Sequence, residues 1–236
     1  MVGSQERGRD LFANLQRIGI DEISYRKGQR YLTVVFDHDT GHLVWAEPGR
    51  DRATLAKFFD ALGDERCRRI RRVSRDGASW IVSVVDERCP NAIQCTDPFH
   101  VVRWATDALD EVRRQVWNAA RKGGQPLFRA YLLKEELRYV FQLSARRGLP
   151  SLERWIQWAR RSRLAPFVKL ARTITEYRAS IAAALRYGLS NARVESGNQK
   201  IRLIIRRSFG FHYPAALIAL AKLSLGGLCP ALPGRA

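Results

Sequence analysis

Three carboxylates stand where residue type and spacing permit chemistry. Asp21 lies inside the apolar run Gly-Ile-Asp-Glu-Ile-Ser, Asp76 follows Val-Ser-Arg, and Glu195 sits in Val-Glu-Ser-Gly-Asn. Asp21 and Asp76 are 55 positions apart, yet their side chains converge if they end neighbouring strands. Carboxylate oxygens suit a hard divalent cation, and Mg2+ characteristically takes one or two carboxylates with waters and substrate phosphate. Two such ions ~3.5–4 Å apart can hold both the attacking and the leaving oxygen of an in-line phosphoryl displacement. On a helical wheel Glu195, Asn198, Arg202 and Arg206 share one face, while Val194, Ile201, Ile204 and Ile205 share an adjacent one. Such a helix buries its apolar face and presents an acid, an amide and two guanidiniums, the last suited to phosphate.

Each residue also has an ordinary reading. Taken alone, Asp76 before Gly-Ala-Ser-Trp is a helix cap, Asp21 beside Glu22 is an exposed strand acid, and Glu195 is a surface acid paired with an arginine. The segment Asp97-Pro-Phe-His100 reads as a turn entering a helix, and a single histidine is more often structural than a ligand. The joint arrangement, on a strongly basic chain, is what points to phosphoryl transfer.

The elements that must position these groups follow from periodicity. Strand 18–24 sets Ile18, Ile20 and Glu22 on one face and Gly19, Asp21 and Ile23 on the other. Tyr31 to Phe36, the turn 37–41 and the return 42–46 complete a three-strand meander. Leu55, Phe58, Phe59 and Leu62 then follow helical spacing, 70–75 is a short strand, Ile81, Val84, Val85 and Arg88 are again helical, and 92–95 is a strand. The order β-β-β-α-β-α-β outlines a ribonuclease-H-like mixed sheet in an α/β fold. From Val101 the chain reads as helical, with helices at 131–147, 152–163 (Gly148 and Pro150 between them), 167–185, 191–207 and 215–225. The expected organisation is a linker remnant at 1–17, a first core portion at 18–100, a helical insertion at 101–190, and a returning catalytic helix with a C-terminal helix at 191–236.

Composition narrows the function classes. The 236 residues carry 41 Lys+Arg against 23 Asp+Glu, a formal charge of +18 whose usual partner is a polyanion. With 46% hydrophobic and 27% charged residues the chain is neither disordered nor collagen-like. The opening MVGSQERGRD has no apolar signal core, and the run from Ala215 to Cys229 is cut by Lys222, so a cytoplasmic, nucleoid-associated protein without a membrane partner is expected. Its four cysteines form no C-x-x-C pair, which argues against a zinc ribbon.

Three long segments carry a family resemblance: GIDEISYRKGQRYLTVVFDHDTGHLVWA, CPNAIQCTDPFHVVRWATDALDEVRR and LSNARVESGNQKIRLIIRRSFGFHYPAALIALAKLSLGG. They closely resemble insertion-sequence transposases of the ISL3 family, over about Arg17 to Gly227. The resemblance implies a DDE catalytic domain with a ribonuclease-H-like core interrupted by a helical insertion. It also implies cutting and joining of double-stranded DNA, at element ends and target, with two Mg2+ ions (Mn2+ as substitute) by a homodimer on paired ends. By matching motifs, Asp21, Asp76 and Glu195 resemble the metal-binding triad. Asp97 and His100 match a D-x-x-H motif, with Asp97 an alternative second acid. Asn198, Lys200, Arg202, Arg206 and Arg207 are candidate DNA contacts, as is the stretch Arg154-Trp155 to Trp158-Ala159-Arg160-Arg161, whose tryptophans read equally as core. Family members also carry an N-terminal zinc-binding and helix-turn-helix region, and a longer segment than the 121–126 loop. A truncated copy is therefore expected, with an inactive DNA-binding or transposase-binding remnant as the alternative.

Overall fold

A computed structural model describes residues 10–26, 30–118 and 125–227. Residues 121–124 of the short loop, Cys229 and most of the 1–17 segment lie outside them. In chain order the elements are β1 (Arg17–Arg26), β2 (Arg30–Asp37), β3 (Leu43–Pro48), α1 (Arg52–Leu62), α2 (Asp64–Arg69), β4 (Arg72–Arg75), α3 (Ser79–Arg88) and β5 (Ile93–Thr96). There follow α4 (Pro98–Asn118), α5 (Gln125–Val140), α6 (Ala145–Arg160), α7 (Ala165–Glu176), α8 (Arg178–Tyr187), α9 (Ala192–Arg207) and α10 (Pro214–Leu225). The predicted order of strands and helices is the one the chain adopts, with the short α2 added and the helix expected at 167–185 divided into α7 and α8. The chain divides into two compact units, one formed by the residues up to Ala92 and from Ala192 onward, the other by Ile93–Asn191.

In the first unit the strand order is β3-β2-β1-β4, with β1 antiparallel to β2 and parallel to β4. This is the ribonuclease-H-like arrangement of a meander followed by a helical crossover to a parallel strand. Side-chain alternation on β1 sorts two cores as predicted. Ile18 and Ile20 join Leu55, Phe58, Phe59, Ile81 and Val85 on one face, and Ile23 joins Val194, Ile201 and Leu217 on the other. Helix α1 begins where the Asp51 side chain accepts the Thr54 N–H at 2.7 Å, and ends at Gly63, whose φ of 80° suits glycine.

The second unit is a helical bundle around Val101, Leu133, Leu137, Trp155, Phe167 and Ile174. Trp155 is buried and donates its indole N–H to the Leu133 carbonyl at 2.7 Å, whereas Trp158 is 40% exposed, so the two tryptophans divide between core and surface. Several helix boundaries differ from expectation: α5 already begins at Gln125, ahead of the expected 131 and inside the expected 121–126 loop. The helix expected at 131–147 ends at Val140, and α6 starts at Ala145 and runs through Gly148 and Pro150. Gly148 accommodates this because a side chain there would press on the Val140 carbonyl and Leu185, and Pro150 lies early enough to forfeit a single helical bond. The helix expected at 167–185 breaks at Tyr177, whose N–H still reaches the Thr173 carbonyl at 3.0 Å while its backbone turns the chain into α8.

Candidate active site

Asp21 sits near the middle of β1, on the face covered by α9. The parallel pairing of β1 with β4 runs Arg17↔Arg72, Ile18↔Val73, Gly19↔Ser74. Asp21 lies two residues beyond the last paired position on β1, and Asp76 two residues beyond its partner on β4. Asp76 stands just past the end of β4, and its Oδ1 accepts the Ala78 N–H at 2.9 Å, closing a turn ahead of α3, whose N-cap is Ala78; Asp76 is therefore not the helix cap its local sequence suggests.

Helix α9 reaches this strand pair because two glycines let it approach. A side chain at Gly19 would overlap Val194 and His38, and one at Gly197 would overlap the ring edge of Phe36. At the start of α9 the Arg193 guanidinium donates to the carbonyls of His38 and Asp39, tethering the helix to the β2–β3 turn. One consequence is that Asn198 is fully buried and donates its amide to Asp21 Oδ2 at 2.9 Å. Asp21 Oδ1 accepts the Glu22 N–H at 2.7 Å, so both carboxylate oxygens are oriented by donors. Asn198 Oδ1 is buried with no hydrogen-bond partner.

Glu22 is a member of this neighbourhood that motif reading passed over. It points to the opposite face of β1, is ion-paired with Arg50, and leaves its Oε1 buried and unpartnered. Burial pushes its carboxyl up to about 7, reinforced by the negative charges of Asp76 and Asp21 and opposed by Arg50. The available signal was a charged residue in register with Ile18 and Ile20. His38 was also passed over. It is buried against Ser74 Oγ, and burial with Arg17 nearby brings its imidazole down to about 4, so it is neutral at ordinary pH.

Glu195 lies in the first turn of α9, one turn before Asn198, and pairs with Arg202 at 3.1 Å. Lys200, Arg202, Arg206 and Arg207 are exposed along α9, whereas Asn198 is turned inward to Asp21. Among the described residues no three His, Cys, Asp or Glu side chains close into a metal-holding group. The donor chemistry at Asp21 nevertheless suits Mg2+: a carboxylate with a buried, unpartnered amide oxygen on the residue that bonds it, both hard oxygen donors.

Asp97 and His100 belong to the second unit. Asp97 is 2% exposed, with Oδ1 accepting the Asn191 N–H at 3.0 Å and Oδ2 bonded to His100 Nδ1 at 3.0 Å. It thereby ties the first turn of α4 to the far end of that unit, and both its oxygens are engaged by the protein.

Comparison with known proteins identifies the family. A family model described as a transposase, that of the ISL3 DDE group, matches residues 18–127 and 118–221. The transposase for insertion sequence element IS1557 of Mycobacterium tuberculosis (strains CDC 1551 / Oshkosh and ATCC 25618 / H37Rv) is 49% identical, over 98% of this chain and 64% of its own length. The transposase for insertion sequence element IS1001 of Bordetella parapertussis is 26% identical, over 85% of this chain and 58% of its own length. The chain thus spans less than two thirds of these curated relatives. The IS1557 alignment covers 286 positions against 236 residues here, so that relative has residues without a counterpart in this chain. The two pieces of the family match meet at 118–127, where the loop reads as short. No helix among the described residues is long and apolar enough to cross a membrane. On these grounds the chain belongs to the ISL3 family of transposases.

Proposed function

We propose that this chain carries the catalytic core of a DDE transposase that cuts and joins double-stranded DNA at the ends of an insertion sequence. The observation that supports this reading is the parallel pairing of β1 with β4, which makes neighbours of the strand bearing Asp21 and the strand that leads to Asp76, with the helix bearing Glu195 joined to Asp21 through Asn198. Asp21, Asp76 and Glu195 would hold two Mg2+ ions, which when bound supply Lewis-acid activation of the attacking and leaving oxygens of a phosphodiester. Asn198 and the Glu22 N–H hold the Asp21 carboxylate in one orientation before any ligand arrives. Arg202 holds Glu195 at the helix surface, and Lys200, Arg206 and Arg207 offer cations to the DNA backbone. Asp76 is preferred over Asp97 as the second acid, because it follows directly on β4, the strand that runs parallel to the one bearing Asp21.

A binding-only remnant is the second reading, and the Glu195–Arg202 pair favours it, since that acid is engaged at the surface. One assay separates the two. Supercoiled and end-bearing DNA is incubated with the chain in Mg2+ or Mn2+, beside D21N, D76N and E195Q proteins checked for native melting. The catalytic reading expects metal-dependent nicks that each substitution reduces to background. Salt-sensitive binding with no product in either metal supports the remnant. Folded triad variants that still nick would remove these acids from the mechanism.

A further inference from the structure

The connection between α9 and α10 holds an aromatic residue that folding does not account for. Helix α9 closes with the Gly210 N–H on the Ile205 carbonyl at 3.0 Å and the Phe209 N–H on the Arg206 carbonyl at 3.2 Å. That bond pair defines a C-cap whose central residue adopts the left-handed conformation and is usually glycine. Here it is Phe209, at φ 54°. A side chain there is strained, and the ring recovers nothing by burial, being 102% exposed. Two residues on, Phe211 packs against the α9–α10 core, and two further on Tyr213 is again outward, 77% exposed. One aromatic therefore secures the connection and two stand in solvent.

Their surroundings are of one sign. From Ser196 to the end of the chain there is no Asp or Glu, while Lys200, Arg202, Arg206, Arg207 and Lys222 are present. The outer face of α9 carries an open groove of about 590 Å³ lined by Lys200, Arg202, Leu203 and Arg206, and Phe209 follows directly on that helix. Exposed rings beside a cationic track are the chemistry of single-stranded nucleic-acid binding, in which aromatics stack on bases and cations follow phosphates. In a paired duplex the base faces are stacked on one another and opening a step for a ring costs a few kcal/mol, so these rings are better suited to bases already unpaired.

We propose that Phe209 and Tyr213 form a stacking site for unpaired nucleotides of DNA whose backbone runs along α9. This deepens the DNA-processing reading and rests on it for the identity of the polyanion. The site takes bases without sequence preference, because every base offers a π-face.

The test is done without metal, in EDTA, so that it is independent of cleavage. The full chain is titrated onto a blunt duplex and onto the same duplex with a short 3′ overhang carrying 2-aminopurine, following anisotropy and 2-aminopurine emission. Tighter binding of the overhang, by roughly ten-fold, with quenched emission is expected. F209G and Y213A should each remove most of that preference and the quenching, with blunt-duplex affinity unchanged, and F209W should retain both. F209G also places the favoured residue at the cap, so its melting temperature should match or exceed the parent's, which excludes misfolding as the cause. Equal binding of blunt and overhanging DNA, or an F209G protein that still prefers and quenches the overhang, overturns the proposal. So does F209G acting on self-association in sedimentation while leaving DNA binding intact. Loss of nicking with stacking preserved would instead count against the catalytic reading alone.

Discussion

Gly197→Ala sets two known effects against each other at the contact that brings α9 to the sheet. In an exposed helix the change is favourable by about 1 kcal/mol, because alanine loses less backbone entropy. Here the added methyl would overlap Cε1 and Cζ of Phe36, far inside the ~3.5–4.0 Å at which carbon atoms rest. Phe36 is 0% exposed and surrounded by Ile23, Val34, Val194 and Ile201, so its ring has no free volume to enter. Relief requires either an off-rotamer ring or displacement of α9 by more than an ångström. Overfilling a core costs about 1–3 kcal/mol, at the upper end where both neighbours are fixed, so the net loss should be about 2 kcal/mol. At about 2–4 °C per kcal/mol for a chain of this size, the melting temperature should fall by ~4–8 °C in a two-state scan. Displacement of α9 also separates Asn198 from Asp21, so metal-dependent nicking should fall along with stability. Adding Phe36→Leu should restore part of both, giving a positive coupling in a double-mutant cycle. A G197A protein that melts higher than the parent would show that helix propensity dominates, and that the close seating of α9 on β2 is not a constraint.

Three further outcomes are expected. Asn198→Ala should raise the Mg2+ concentration needed for half-maximal nicking by ~10–100-fold, since the donor orienting Asp21 is gone, and the exposed neighbour Gln199→Ala should leave the titration in place. Glu22→Gln should alter how stability depends on pH. The native carboxyl holds its proton to about 7, above its ordinary value of 4.5, so the parent's stability falls as pH rises through that window and then levels. The neutral variant should be more stable than the parent at pH 8 by on the order of 1 kcal/mol, once screening at the half-exposed Arg50 is allowed for, and should show no such slope; melting curves at pH 5 and pH 8 that move in parallel would contradict this. Finally, Asp97→Ala strands the buried Asn191 N–H and should cost about 1–3 kcal/mol, whereas Asp97→Asn keeps an acceptor and should still support nicking. Abolished nicking in a normally melting D97N protein would make Asp97, not Asp76, the second acid.

Much of the first unit is legible from spacing alone. The alternation on β1 separates Ile18, Ile20 and Glu22 from Gly19, Asp21 and Ile23, and both sets lie on the faces expected. The spacing Leu55, Phe58, Phe59, Leu62 marks the buried stripe of α1, and Val194 and Ile201 mark that of α9. These are local matters, decided by which positions a repeating backbone turns the same way. Helix boundaries were less legible. Gly148 and Pro150 suggest a break, and the helix runs through them because a close approach to Val140 and Leu185 favours glycine at that point.

The alternation of residue types could nominate Asp21, Asp76 and Glu195, but only the folded chain decides what each one meets. That the strand bearing Asp21 is neighbour to the strand leading to Asp76 depends on the pairing of two segments far apart in sequence. That Asn198 turns inward to Asp21 depends on Gly19 and Gly197 admitting α9, and the raised carboxyl of Glu22 depends on who its neighbours are. Register, close approach and local field are properties of pairs of distant residues, and a linear order of side chains carries no distances between them.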